Sequence, residues 1–222
     1  MYRLLFIDEL KDEFNEFKDY IEEKTSQEKI EIVTLLPLET LDEMIEEIVS
    51  IKPDAIISDF MLNEYKEDIQ YNIPYDGVEL VQGFLKIREG FPCFVLTSFD
   101  DNAIKKCEDV NIVYIKGILH GSEEKANSKA NFLERIENQI LHYRKKMEET
   151  ETRLLELIKK GEITSLDVYE MQELIELDTL VEKNLDKESQ IPLKLKEEFD
   201  SDKLKNLIEK VDLLNKKLNN GE

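Results

Sequence analysis

The chain has 222 residues, a formal net charge of −21 and 41 % hydrophobic residues. Proteins that hold nucleic acid by its phosphates need a surplus of Lys and Arg, so this balance argues against nucleic-acid binding. The length suits one domain with a large appendage, or two small domains.

Its apolar stretches and cysteines predict a cytoplasmic protein. No stretch approaches the roughly eighteen uncharged apolar residues of a membrane span. The N-terminal apolar run is too short for a signal peptide. Cys93 and Cys107 give neither a disulfide framework nor a metal-binding spacing. We therefore expect no contact with a membrane.

Over the first 120 residues, short apolar runs alternate with amphipathic segments. The apolar runs predict strands at 2–7, 29–36, 54–58, 92–97 and 111–116. Apolar residues at helical spacing predict helices at 11–24, 38–51, 76–89 and 100–109. Charged residues interrupt the second strand, which indicates an edge position. The alternation predicts an α/β fold, a doubly wound, flavodoxin-like parallel sheet of five strands in the order 2-1-3-4-5.

The remaining residues, 121–222, predict an all-α extension. A long helix at 127–161 stops at Gly161, and a second at 164–185 begins with Thr164 or Ser165 as its cap. A third amphipathic helix is predicted at 201–218. Together they favour a helical bundle, or a hairpin completed by a second chain. The near-heptad apolar spacing of the first helix permits a coiled-coil homodimer. The predicted domains are thus 1–120 and 121–222.

Polar residues stand where four of the predicted strands end. Asp8 and Glu9 follow the first strand, Asp59 ends the third, Thr97 the fourth and Lys116 the fifth. The carboxyl ends of parallel strands meet at one edge of a sheet, where ligands bind. We therefore expect these five residues to form one cluster. Each also has an ordinary alternative, such as Asp8 and Glu9 capping the helix at 11–24.

This cluster has the chemistry for phosphoryl transfer. A carboxylate such as Asp59 can act as a nucleophile toward phosphorus and form an acyl phosphate. Asp8, Glu9 and Asp59 offer the hard oxygen ligands that Mg²⁺ prefers, with water and phosphate oxygens completing the metal shell. Lys116 can pair with the phosphoryl group as a point charge, and the Thr97 hydroxyl can donate a hydrogen bond to it.

The pattern resembles the receiver domain of two-component response regulators over about residues 1–120. The motifs that carry the resemblance are FIDE, IISDFML, DGVEL, FVLTS and VYIKG, each placed at a strand end or opening a helix. The resemblance implies that Asp59 is the phosphoacceptor. It also implies that a histidine kinase, a phosphotransfer protein or a small phosphodonor supplies the phosphoryl group.

Several features differ from the usual receiver pattern. Gly117 stands where the family usually has Pro, and Val113, beside Tyr114, stands where it usually has an aromatic residue. The segment 63–75 lengthens the loop after Asp59 and is either a lid, a partner contact or a solvated acidic loop. The predicted fourth helix is short.

Three functions follow from these patterns. The leading hypothesis is a phosphoacceptor response regulator that signals through residues 121–222, by binding a protein effector or by self-association. The alternatives are a scaffold that does not use phosphorylation, and a phosphorelay or phosphate sink without output. Residues 121–222 show no DNA-binding or enzymatic output motif. We expect no enzymatic activity beyond self-phosphorylation and self-dephosphorylation at Asp59.

Overall fold

The computed structural model describes residues 1–25, 29–63, 71–98, 105–107, 109–120 and 131–185. The chain divides into two compact units, Met1–Tyr143 and Arg144–Glu222. The boundary predicted at residue 120 falls inside the first unit.

The first unit contains the parallel sheet. Its strands are β1 (Tyr2–Ile7), β2 (Ile30–Leu35), β3 (Ala55–Asp59), β4 (Cys93–Thr97) and β5 (Val113–Ile115). The helices of the described chain are α1 (Lys11–Lys24), α2 (Leu41–Ile51), α3 (Gly77–Leu85), α4 (Phe132–Ile163) and α5 (Val168–Leu185). Two short 3₁₀ helices, Val110–Ile112 and Lys116–His120, flank β5. The helix predicted at 100–109 falls largely outside the described residues.

The strands are all parallel and lie in the order β2-β1-β3-β4-β5. This confirms the predicted flavodoxin-like fold and the edge position of the second strand. Every residue of β3 is buried, as expected for an apolar run at the centre of a sheet covered on both faces. The sheet therefore brings the ends of β1, β3, β4 and β5 to one edge, which we call the carboxyl edge.

Side chains alternate between two apolar layers, one on each face of the sheet. Leu5, Ile7 and Ile56 pack with residues of α2 and α3. Their neighbours point the other way and pack with α1 and with the start of α4. The second layer includes Leu4, Phe6, Ala55, Ile57, Phe17, Phe132 and Ile136. The period of two in the strands fixes which helix covers which face.

The sequence places capping residues at the starts of α2 and α3. Thr40 accepts a hydrogen bond from the Glu43 backbone N–H at 3.3 Å. Asp76 forms a reciprocal capping box with Glu79, with bonds of 2.9 and 3.0 Å. The motif DGVEL thus opens a helix, as predicted.

Two predictions about the later helices are wrong. Helix α4 does not stop at Gly161 but continues to Ile163. A helical glycine costs only about 1 kcal/mol, which the packing of this helix against α5 can offset. Neither Thr164 nor Ser165 caps α5. Its cap is Asp167, which accepts from the Glu170 N–H at 2.9 Å while its own N–H donates to the Glu170 carboxylate at 3.2 Å.

The described part of the second unit is a helical hairpin. Its apolar seam consists of Leu154, Leu157, Ile158, Leu166, Leu174, Leu177 and Val181. Arg153 holds both carboxylate oxygens of Glu173 at 2.8 Å. The third predicted helix, 201–218, lies outside the described residues, and the coiled-coil homodimer stays a prediction. Among the residues that the structure describes, no helix has both the length and the apolar character needed to cross a bilayer.

Gly77 lets the start of α3 approach the end of β3. A Cβ atom at this position would lie 1.9 Å from the Asp59 carbonyl oxygen and 2.9 Å from the Ser58 Oγ. We expect Gly77→Ala to lower the free energy of unfolding by about 2–3 kcal/mol, because the backbone must shift to admit the methyl group. Urea denaturation measures the change.

The matched control for this substitution is Gly83→Ala in the same helix. There the added Cβ meets only the ends of flexible side chains, the nearest being Ile45 Cδ1 at 3.2 Å. Its effect should stay within about 1 kcal/mol, since alanine also favours the helix. Equal losses in the two variants would show that close approach at Gly77 is unimportant.

Candidate functional site

Lys116 joins the ends of three strands at the carboxyl edge. Its Nζ lies 2.9 Å from Asp59 Oδ1 and 3.0 Å from Asp8 Oδ2. Asp8 directly follows β1, Asp59 ends β3, and Lys116 directly follows β5. The structure thus brings together three of the five residues that the sequence analysis selected, across 108 residues of chain.

The other two selected residues lie at the same edge and are buried. Thr97 is the last residue of β4 and is 1 % exposed. It stands one position beyond Leu96, which is paired with Asp59 across the β3–β4 ladder. Glu9 follows Asp8 and is 3 % exposed. Buried polar side chains need hydrogen-bond partners or a ligand. The carboxyl edge is therefore a polar environment inside the protein.

Backbone hydrogen bonds orient the two aspartates. Asp59 Oδ2 accepts from the Met61 N–H at 2.9 Å, and Asp8 Oδ1 accepts from the Leu10 N–H at 3.0 Å. The residue that precedes α1 is Leu10, which has no side-chain capping bond. Asp8 therefore makes a turn ahead of the helix, which leaves its second oxygen for Lys116.

Burial makes the carboxylates of this cluster poor anions. It raises the pKa of Asp59 to about 7, although Lys116 lowers that pKa, and the neighbouring Asp8 raises it further. Burial likewise raises the pKa of Asp8, against the lowering effect of Lys116. Burial alone would lower the pKa of Lys116, but Asp59 and Asp8 raise it above its ordinary value. Lys116 therefore stays protonated beside the carboxylate of Asp59.

Glu13 is a third carboxylate at Lys116 and was not among the predicted site residues. Its Oε2 lies 3.3 Å from the lysine Nζ. Glu13 belongs to the first turn of α1, the helix that follows β1. Helices that follow parallel strands begin near the carboxyl edge, so an acidic residue in the first turn was a usable signal.

The chemistry of these residues suits Mg²⁺. Asp8 and Asp59 are hard oxygen donors, and burial, with a smaller contribution from neighbouring carboxylates, raises the pKa values of both. Among the residues that the structure describes, no group of three or more His, Cys, Asp or Glu side chains is arranged to hold a metal. Mg²⁺ commonly binds through only one or two carboxylates and keeps several waters. The full set of Asp8, Glu9 and Asp59 stays a prediction.

The structure locates the residues that differ from the receiver pattern. Gly117 directly follows Lys116 and lies in the second 3₁₀ helix. Its φ angle is not positive, since Gly90 is the only described glycine with a positive φ. The ring of Tyr114 packs 4.9 Å from that of Phe132 and 5.9 Å from that of Phe94. The aromatic residue of β5 thus belongs to the apolar layer formed with α4.

The C-terminal end of the segment 63–75 is fixed to the connection between β2 and α2. The Tyr71 hydroxyl donates to the Pro37 carbonyl at 2.9 Å, and the Tyr75 hydroxyl donates to the Leu38 carbonyl at 2.7 Å. Ile73 is buried between them. Residues 64–70 lie outside the described chain, so the choice between a lid, a partner contact and a solvated loop stays open.

Among known proteins, the chain is similar only to solved structures in the comparisons made by family profile, by curated sequence and by structure. No family profile and no curated protein matches the chain. It is similar to RcsB from Salmonella enterica serovar Typhimurium bound to promoter rprA in the presence of phosphomimetic BeF3⁻, with 14 % identity and a TM-score of 0.42. That match covers 93 % of this chain and 98 % of the other.

Two further structures of RcsB are similar at the same level. The complex with promoter P1flhDC is 13 % identical, with a TM-score of 0.40, and covers 93 % of this chain and 97 % of the other. The Salmonella typhimurium RcsB response regulator described for conformational dynamism in DNA interaction is 14 % identical, with a TM-score of 0.37. It covers 95 % of this chain and 100 % of that one. Such likenesses carry no weight for function, and the fold rests on the strand order given above.

Proposed function

We propose that this chain is a response-regulator receiver protein whose Asp59 accepts a phosphoryl group. The observation that carries the proposal is the contact of 2.9 Å between Lys116 Nζ and the buried Asp59 carboxylate, at the carboxyl edge of a doubly wound parallel sheet. A nucleophile and a fixed cation thus share the place where such sheets bind their ligands. Asp8 and Thr97 border the same place.

The transfer is a displacement at phosphorus. A carboxylate oxygen of Asp59 forms the new P–O bond while the bond from phosphorus to the donor breaks, and the electron pair leaves with the donor. With acetyl phosphate the leaving group is acetate. Lys116 offsets the charge on the phosphoryl oxygens, and the Thr97 hydroxyl donates to one of them. Asp8, Glu9 and Asp59 would hold Mg²⁺, which would supply further positive charge to offset that of the phosphoryl group.

We further propose a histidine kinase or phosphotransfer protein as the donor. The helical residues beyond the sheet domain carry the output, through a protein effector or through self-association. The charge of −21 favours protein partners over nucleic acid. Two of the similar RcsB structures are bound to promoter DNA, and that is a property of those proteins. A cytoplasmic location stays part of this proposal.

A scaffold that does not use phosphate is the second candidate. Lys116 already pairs with Asp8, Asp59 and Glu13, and this network can serve structure alone. Such a protein would keep the ion pairs and bind neither Mg²⁺ nor a phosphoryl group.

The deciding experiment is labelling with radioactive acetyl phosphate. We expect stoichiometric label that requires Mg²⁺, is lost in EDTA and is released by hydroxylamine, which cleaves acyl phosphates. Mg²⁺ binding should be followed separately, by the perturbation of NMR signals near Asp8 and Asp59. A protein that takes no label and shows no Mg²⁺-induced perturbation is the scaffold.

The relay or sink is distinguished by the response of the labelled protein. An output protein should change its oligomeric state or partner binding when beryllofluoride, a phosphoryl mimic, is added. Light scattering coupled to size exclusion measures the first change. Label without any such change indicates a relay or sink.

A further inference from the structure

The Lys116 ammonium group offers three N–H donors to its neighbours. They face Asp59 Oδ1 at 2.9 Å, Asp8 Oδ2 at 3.0 Å and Glu13 Oε2 at 3.3 Å. An oxygen of a phosphoryl group on Asp59 approaches the same ammonium group, so it competes for that group with the Asp8 and Glu13 carboxylates.

Glu13 is the carboxylate that can be replaced most easily. The Asp8 side chain is 1 % exposed and also accepts from a backbone N–H, so it has little freedom to move. The Glu13 side chain is 24 % exposed and makes the longest of the three contacts. A glutamate on the first turn of a helix can turn its carboxylate to water, where release of an ion pair is inexpensive.

We infer that Glu13 is a positioning residue that holds Lys116 in the unphosphorylated protein and competes with the phosphoryl group for it. This inference rests on the proposed function of Asp59. Glu13 touches neither the acceptor carboxylate nor the phosphorus, and it acts only through the lysine. Its negative charge therefore lowers the occupancy of the phosphorylated state at any given donor concentration.

Glu13→Gln tests the competition, with Asp12→Asn as the matched control. Both residues lie in the first turn of α1, so both substitutions remove one negative charge from the same helix terminus. Asp12 is exposed. The half-saturating concentration of beryllofluoride, measured with saturating Mg²⁺, should fall about two- to fivefold in Glu13→Gln relative to the control, the size expected of a partly exposed ion pair. The difference should shrink at high salt.

A second measurement tests the contact without any phosphoryl group. The ¹H–¹³C resonance of the Lys116 ε-methylene group, recorded in EDTA, should move in Glu13→Gln and stay in place in Asp12→Asn. This spectroscopic change reports the lysine environment even in a protein that never takes phosphate.

The outcomes separate the inference from the proposed function. A moved resonance with tighter beryllofluoride binding supports the inference. An unmoved resonance overturns it, and so does a moved resonance with unchanged or weaker binding while the wild type still binds. If the wild type binds no beryllofluoride and takes no label, the proposed function fails and the competition fails with it.

Discussion

Replacing Lys116 by methionine should lower the free energy of unfolding by about 3–5 kcal/mol at pH 8. Methionine keeps most of the side-chain volume but removes the ammonium group that lies within 3.3 Å of three carboxylates. Asp8 and Asp59 are buried, so their charges then lack a compensating cation in a poorly solvated place. Removing one partner of a buried ion pair is costly for this reason. Chemical denaturation in EDTA measures the loss.

The pH dependence identifies the cause of that loss. Lys116 lowers the pKa values of Asp59 and Asp8, so its removal raises both pKa values further. Below those values the carboxyls of the folded variant are protonated and the repulsion vanishes. The destabilisation should therefore be smaller at pH 5 than at pH 8.

Lys29→Met is the matched control, since Lys29 is an exposed lysine of the same unit. Its effect should stay within about 0.5 kcal/mol at both pH values. A Lys116→Met variant that is as stable as this control would mean that the carboxylates are compensated from elsewhere.

The sheet could be predicted from the sequence because its signals are local. Each strand is a short apolar run, each helix has its own apolar stripe, and the alternation of the two leaves few chain topologies. The interrupted pattern of β2 followed from its place at the edge, where one side of the strand has no neighbour. The clustering of Asp8, Asp59 and Lys116 followed from the same geometry.

The first-turn position of Glu13 signals that it lies near the carboxyl edge, but its contact with Lys116 depends on a distance that no sequence pattern gives. Whether a first-turn glutamate reaches Lys116 depends on where α1 begins and on how it packs through Phe14 and Phe17. Neither quantity is a property of a local pattern. The contact of 3.3 Å appears only in three dimensions.

The end of α4 was misread for a related reason. Gly161 is a common stop signal, but packing against α5 decides whether a helix continues. Leu157 and Ile158 pack with Leu174 in the apolar seam. This packing stabilises the helix beyond the glycine. Asp167 then caps α5 through Glu170, and the short link between the helices follows from that cap. Local signals predict where a helix can end, and tertiary packing selects among the candidates.

Asp59→Asn has the largest expected effect on function, because it removes the proposed nucleophile. Labelling by acetyl phosphate should fall to background, since an amide cannot displace the leaving group at phosphorus. Asp19→Asn, which removes an exposed carboxylate from α1, should be labelled like the wild type. Full labelling of Asp59→Asn would place the phosphoacceptor at another residue.

The same variant should be more stable than the wild type above neutral pH, and the direction follows from proton linkage. The folded wild type holds a proton on Asp59 up to a pKa of about 7, against an ordinary value of 3.8. Between these values the folded state binds more protons than the unfolded state, so wild-type stability falls as pH rises from about 4 to 7.

Asparagine has no such proton. In EDTA, urea denaturation should show a gap between the two proteins that opens across this range and reaches about 4 kcal/mol at pH 8, since one pKa unit corresponds to about 1.4 kcal/mol. A constant gap from pH 4 to 8 would mean that repulsion and burial at Asp59 do not destabilise the resting protein. A gap of the expected form would mean that the unmodified protein carries an unfavourable charge at Asp59 above neutral pH.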